Sequence, residues 1–252
     1  MHTSQDPIVI SQGDVPALRS GTQGQTMKDK YKYIGPIYDF LSNVYSGKSI
    51  QDCRTAMLTP AHIKPGDKVL FAGVGIGRDA IRAAELGAQV TVVDLSSTML
   101  RNFSKVLSEE APHLSIRQVH EDILKVSETG QYDMVVANFF LNVFDEALMM
   151  TILRHLVTLG RPGAKLVIGD FSFPTGNLIA RSLKKVYWHL AAFVFWVLAR
   201  NALHPIYNYP AIMQELGLKV REKKYYVRLG MNTFWSILAE KPAQPTIETS
   251  AV

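Results

Sequence analysis

One cysteine, Cys53, stands in a chain of 252 residues. A single thiol excludes an internal disulfide and any zinc site built on cysteines, and it fits a reducing cytosol. The first 26 residues lack the basic start and apolar core of a secretory signal. They also lack the arginines of a mitochondrial presequence, holding only Arg19 beside Asp6 and Asp14. Rich in Gln, Ser, Thr and Gly, residues 1–26 read as a disordered leader, and the Pro, Ala, Thr and Ser of residues 242–252 as a disordered tail. Neither sign of charge dominates, with 27 Lys and Arg against 22 Asp and Glu. A net charge of +5 suits an anionic membrane surface or anionic ligands and gives no argument for nucleic acid. No Ser-His-Asp set or carboxylate pair is visible. His113, His120, Glu121 and Asp122 lie close together at a spacing that matches no strong metal motif, which leaves a divalent ion such as manganese as an open cofactor.

Apolar residues make up 47% of the chain, ample for a core. The organising stretch is Val69 to Ala80, an apolar run broken by Gly73, Gly75 and Gly77 before helix formers resume at Ile81. It reads as a buried strand, a tight turn and the opening of a helix. Glycine lets the backbone turn sharply and pass close to a ligand, although ordinary strand-turn-helix packing uses it too. Gln89–Asp94 reads as a second strand ending in a carboxylate 17 residues after Gly77. A carboxylate there can accept from both hydroxyls of a ribose. A helix starts near Leu95, and a third strand, Leu114–Val119, leads to His120-Glu121-Asp122.

The turn is G-x-G-x-G, where dinucleotide-binding folds usually carry G-x-G-x-x-G. With Asp94-Leu95-Ser96 and Glu121-Asp122, it resembles the class I S-adenosylmethionine (SAM) methyltransferases, and most of all their quinone-modifying branch around the ubiquinone and menaquinone methyltransferases. The resemblance spans roughly Tyr31 to Lys241. It implies that Gly73, Gly75 and Gly77 cradle the methionine end of SAM, that Asp94 holds the ribose and that Asp122 meets the adenine amine. One departure concerns position 71. The family normally carries an acid two residues before the first glycine, and this chain has Phe71.

Before the turn, Gly35-Pro36 marks a break and Ile37–Tyr45 follows at helical spacing. Tyr38-Asp39 and Tyr45-Ser46-Gly47 resemble the N-terminal helices that cap the pockets of quinone methyltransferases; core aromatics are the plainer account. Strand four is read as Tyr132–Asn138 with Asp133 at its start. Asn138 and Asn142 then sit on an aromatic wall suited to a flat, partly polar ring. A helix runs from Asp145-Glu146 to Leu159, Gly160–Gly163 turns, and Lys165–Phe171 is strand five. Leu218–Tyr226 and Phe234–Glu240 read as two last strands joined by a Gly230–Asn232 turn. Alternating strands and helices predict an α/β, doubly wound, mostly parallel seven-stranded sheet in one SAM-binding domain over residues 27–241; the antiparallel last strand is what the resemblance implies.

Residues 182–200 interrupt this pattern. Val186–Ala199 is apolar nearly all round, with Trp188 and Trp196. It is shorter than the ~20 residues a membrane span takes. Flanked by Arg181, Lys184, Lys185 and Arg200, it reads equally as a helix lying on anionic lipid or as a lid over the site. His204 and Tyr207, in the aromatic loop after it, are candidate substrate contacts beside a purely structural role. Methyl transfer from a sulfonium needs positioning more than acid and base. Ring chemistry adds a polar anchor, for which Tyr38, Asn138, His204 and Tyr207 are available.

Three functions remain. The chain also resembles the rhodoquinone biosynthesis proteins, which exchange a ubiquinone methoxy group for an amine taken from SAM. Phe71 in place of an acid, the Asn138–Phe144 wall and the apolar helix before His204 favour that reading narrowly. An acid pinning the SAM ammonium would hinder its donation; family drift is the plainer account of Phe71 taken alone. Methylation of a quinol or another hydrophobic aromatic is the alternative. A silent SAM-fold subunit of a quinone-synthesis complex is the third, and a nicotinamide dehydrogenase fits poorly. The implied setting is cytoplasmic, peripheral to the inner leaflet, with a quinone substrate and other quinone-biosynthesis proteins as partners.

Overall fold

The computed structural model describes residues 48–173, 206–228 and 231–243. Tyr38, His204, the apolar segment 182–200, the leader and most of the tail lie outside the described residues.

Helix α1 (Lys48–Thr55) comes first, followed by β1 (Lys68–Ala72), α2 (Arg78–Glu85), β2 (Gln89–Asp94) and α3 (Ser97–Glu110). Next are β3 (Arg117–His120), β4 (Tyr132–Asn138), α4 (Glu146–Leu159) and β5 (Gly160–Phe171). The described chain ends with α5 (Tyr209–Glu215), β6 (Lys219–Arg228) and β7 (Met231–Glu240). The seven strands form one sheet in the order β3-β2-β1-β4-β5-β7-β6. Neighbours from β3 to β5 pair in parallel, and β7 runs antiparallel to both β5 and β6. The chain order reverses between β1 and β4, which opens a crevice at their C-terminal ends.

Two cores follow from the alternation of strand side chains. Leu70, Ala72, Val135, Leu166 and Ile168 pack on one face with Met149, Ile152, Leu153 and Leu156 of α4. Val69, Phe71, Val136 and Val167 pack on the other with Ile81 and Ala83 of α2 and Phe103 of α3. Each fully buried side chain of this size contributes about 1.5–3 kcal/mol, so the two apolar layers dominate the fold. Helix starts are set by polar side chains. Ser96 caps α3 by accepting from the Met99 N–H at 3.3 Å, and Asp145 caps α4 from Leu148 at 2.9 Å. Asp133 at the start of β4 accepts from the Lys68 N–H at 2.8 Å, tying the first residues of two neighbouring strands.

Several boundaries differ from the sequence reading, β6 among them, which runs on to Arg228 past the expected Tyr226. Gly160–Gly163 is an irregularity inside β5: Tyr132 pairs with Gly160, then Met134 with Lys165. Gly163 takes φ 79°, and its N–H reaches Lys241 O, so the start of β5 is held by the residue just past the end of β7. Strand β3 begins later than predicted because Leu114 closes a turn on Ala111 O after α3. Strand β7 begins at Met231, absorbing two residues of the predicted turn.

Candidate active site

The glycine turn lies between β1 and α2, at the crevice. Gly73, Gly75 and Gly77 all have positive φ, at 75°, 51° and 78°. At two of them a side chain is also excluded by space. A Cβ on Gly73 would stand 2.6 Å from the Phe140 ring, and one on Gly77 only 2.0 Å from Phe103. Above Gly75 the neighbour is charged: a Cβ there would lie 2.9 Å from a guanidinium nitrogen of Arg54. Helix α1 therefore sets a cation directly over the turn.

Asp94 ends β2 beside this turn. Its carboxylate accepts from the Val74 N–H at 2.9 Å and the Ser96 N–H at 2.8 Å. It is partly buried, so the tip of β2 is fixed to the backbone that would face a ligand. Asp122 is also partly buried and caps a 3₁₀ turn, accepting from the Leu124 N–H at 3.0 Å. His120 contacts Leu95 O at 3.0 Å, leaning back across the tip of β2. Phe71 packs into the core at 2% exposure.

Opposite charge near the turn comes from α2. Asp79 is buried, 3.9 Å from the Arg54 guanidinium, and accepts from Asn138 Nδ2 at 2.9 Å. The same Asn138 amide donates to Arg54 O at 3.0 Å, while its Oδ1 is buried with no hydrogen-bond partner among the described residues. Gly169 makes room for this amide, since a Cβ there would meet Asn138 Oδ1 at 2.6 Å. Asn138 thus locks α1, α2 and β4 together beneath the crevice. The Arg54 guanidinium also lies 5.4 Å from the centre of the Phe139 ring, and Phe139 is the one described non-glycine residue with positive φ, at 52°.

On the other face of β5, Asp170 is 1% exposed. It accepts from the Tyr209 hydroxyl and from the Phe171 N–H, each at 2.7 Å, and from the Asn142 side chain. Burial outweighs these donors and pushes its carboxyl up to about 7. Tyr209 is pushed up in turn by burial and by the Asp170 charge. Tyr207 is buried, donates to Phe144 O at 2.9 Å, and is raised chiefly by burial. Cys53 is wholly buried on α1, its thiol donating to Trp235 O at 3.1 Å and pushed up by burial. It is a core residue.

Gly73, Gly75, Gly77 and Asp94 converge at the turn, with Asn138 beneath it; Asp122 caps its own turn, and Tyr207 lies on the far face with the Asp170 cluster. Arg54, Asp79, Asp170 and Tyr209 carried no role in the sequence reading. Nothing in a local motif marks Arg54, which comes from a helix well before the turn. Asp79, as an acid in the first turn of an alanine-rich helix, reads as ordinary capping until its burial is seen. Among the described residues no group of three or more His, Cys, Asp or Glu side chains gathers to hold a metal. The site fits SAM instead: a turn that only glycine can make, a carboxylate at the tip of β2, and a guanidinium over the turn.

Comparison with known proteins agrees. Residues 69–163 match the family model described as a methyltransferase domain. The demethylmenaquinone methyltransferase of Renibacterium salmoninarum is 27% identical over 142 residues, 56% of this chain and 57% of that protein. The ubiquinone biosynthesis O-methyltransferase of Albidiferax ferrireducens is 35% identical over 106 residues, 40% of this chain and 41% of that protein. The chain thus spans less than two thirds of these curated relatives. The magnesium protoporphyrin IX methyltransferase of Synechocystis PCC 6803, solved with bound SAM, superposes with TM-score 0.62 at 16% identity, covering 87% of this chain and all of that one. The fold is the Rossmann-like class I methyltransferase fold, and residues 69–163 are similar to a methyltransferase domain.

Proposed function

We propose that this chain is a SAM-dependent transferase that modifies a hydrophobic quinone, and that the modification replaces a methoxy group of ubiquinone by an amine taken from SAM, giving rhodoquinone. The observation that carries the finer reading is Phe71. Its side chain is buried, so the first strand presents no carboxylate to the SAM ammonium. Arg54 over Gly75 offers a cation for the SAM carboxylate, which would hold the amino acid end while leaving its amine unpinned. Bound SAM supplies a sulfonium and an amine; the chain's own residues supply position.

Methyl transfer to a quinol is the second reading, favoured by the methyltransferase-domain match and by relatives named for quinone methylation. A quinone substrate lies in lipid, and the net charge of +5 suits a peripheral position on the anionic cytoplasmic face of a membrane. Mass spectrometry of quinones from a ubiquinone-producing host, with and without the protein, separates the readings. A quinone with one methoxy replaced by an amine is the expected product. An added methyl with S-adenosylhomocysteine as co-product returns the protein to quinone methylation, and an unchanged quinone pool rejects both.

A further inference from the structure

Phe139 is the strained point of the described backbone. A bulky side chain at φ 52° stands outside the conformations it favours, and it persists there only where its surroundings fix it. Its N–H donates to Gly169 O at 2.7 Å, and its ring meets Phe171 and Phe234 edge-on, with centres 6.1 Å and 5.7 Å away. The remaining neighbour is the Arg54 guanidinium, 5.4 Å from the ring centre. The Arg54 side chain is only 15% exposed, yet its guanidinium makes no hydrogen bond among the described residues. Asp79, its ion-pair partner, stands 3.9 Å off and spends its oxygens on the Ala80 N–H at 3.2 Å and the Asn138 amide at 2.9 Å. Arginine carries five N–H donors in a planar fork that matches a carboxylate. A fork this enclosed, over Gly75 and with its donors unspent, is set to meet an anion.

We propose that Phe139 is a positioning residue: its ring, held by the strained backbone, supports the Arg54 guanidinium over Gly75, so that the site selects its adenosyl ligand by the carboxylate and leaves the amine unread. The proposal rests on the SAM reading of the glycine turn. It adds which end group selects the ligand and which residue sets the selector. Two features of the described residues agree with it. Phe71 is apolar and buried where an acid would pair with the amine. Asp79, the acid beside the guanidinium, is itself buried, its side chain 5% exposed, and is engaged by Ala80 and Asn138. It supplies the counter-charge that lets a guanidinium sit this deep.

The test is titration calorimetry of the full chain with S-adenosylhomocysteine, its decarboxylated form and its deaminated form. In the unaltered protein the decarboxylated ligand should bind about ten- to hundredfold more weakly than the parent, the size of a charge-assisted hydrogen-bonded pair. The deaminated ligand, which keeps the carboxylate, should bind within about threefold of the parent. Arg54→Gln should bring S-adenosylhomocysteine down to the decarboxylated level without moving the decarboxylated ligand. Because that change strips Asp79 of its counter-charge, Arg54→Gln combined with Asp79→Asn, which removes both charges, guards against a folding defect and should show the same levelling. Phe139→Leu should narrow the ratio of the parent and decarboxylated affinities severalfold, and Phe139→Tyr, which keeps a ring beside the guanidinium, should restore it. A merely structural Phe139 would lower the melting temperature and weaken all three ligands alike, with the ratio intact. That result overturns the proposal, as do equal affinities for the parent and decarboxylated ligands in the unaltered protein. A deaminated ligand weaker by about tenfold or more would show that the amine is read, and overturns it too. Failure of all three ligands to bind overturns the SAM reading itself.

Discussion

Gly77 and Gly66 separate two reasons for glycine that a sequence cannot distinguish. Both have positive φ, 78° and 88°, but a Cβ on Gly66 meets nothing within 4 Å, whereas one on Gly77 would stand 2.0 Å from Phe103. The backbone penalty alone is about 1–2 kcal/mol. Displacing a packed core ring adds about 1–3 kcal/mol. Gly66→Ala should therefore cost about 1 kcal/mol in urea unfolding and Gly77→Ala roughly 2–4 kcal/mol, with loss of SAM binding only in the second. Equal costs would show that Phe103 yields freely. Asp170 gives a second expectation of this kind. Its folded carboxyl lies near 7 against an ordinary value of 3.8, so the folded state binds a proton that the unfolded state has released between those values. Stability then falls as pH rises from about 4 to about 7 and levels off above. Asp170→Asn should flatten that slope in thermal melts, and an unchanged slope would assign it to other groups.

At the scale of elements, most of the architecture was legible because polar residues punctuate an apolar pattern. Ser96 and Asp145 mark the starts of α3 and α4, β2 is a short β-branched run, and β1 and β4 are short and largely apolar. Replacing either cap by alanine should cost about 1 kcal/mol in unfolding while leaving SAM affinity intact. Asp94→Ala should behave in the opposite sense. It strips partners from the Val74 and Ser96 N–H groups at the turn, so SAM affinity should drop at least tenfold, and unchanged affinity would remove Asp94 from the site. Illegible were the elements whose meaning comes from across the fold. The Gly160–Gly163 stretch has the composition of a turn, yet the pairing of Lys241 with Gly163 and Ala164 draws it into β5. Asn138 reads as a ligand on the aromatic wall, yet its amide nitrogen is spent on Arg54 O and Asp79. Arg54 and Asp170 had no local signature at all. One reaches the turn from a helix that precedes it, and the other is defined by a tyrosine 39 residues away.

For the molecule as a whole, the proposed quinone substrate would lie in lipid, and charge and exposure would set how the protein meets it. No described helix is long and apolar enough to cross a membrane, so on the proposed reading contact through the described residues would be made at the surface. The large apolar side chains exposed among them are Tyr225 at 41% and Val227 at 57%, both on β6. That strand lies at the sheet edge, and Lys219, Arg221, Lys223 and Lys224 on it are exposed. Lysines on an edge also deter strand-to-strand aggregation. Tyr225 also packs across the strands on Trp235, ring centres 6.0 Å apart, and a lipid surface takes both cation and ring. Each basic residue near an anionic surface contributes about 1 kcal/mol, an attraction that salt screens over ~10 Å at ~0.1 M. The protein should therefore sediment with phosphatidylglycerol vesicles at low salt, release progressively as salt rises, and ignore phosphatidylcholine. Lys223→Glu with Tyr225→Ser should weaken this partition severalfold without lowering SAM affinity, because β6 lies at the opposite edge of the sheet from Asp94. Unchanged partition would place the contact outside the described residues, and binding to both lipids alike would remove charge from the account.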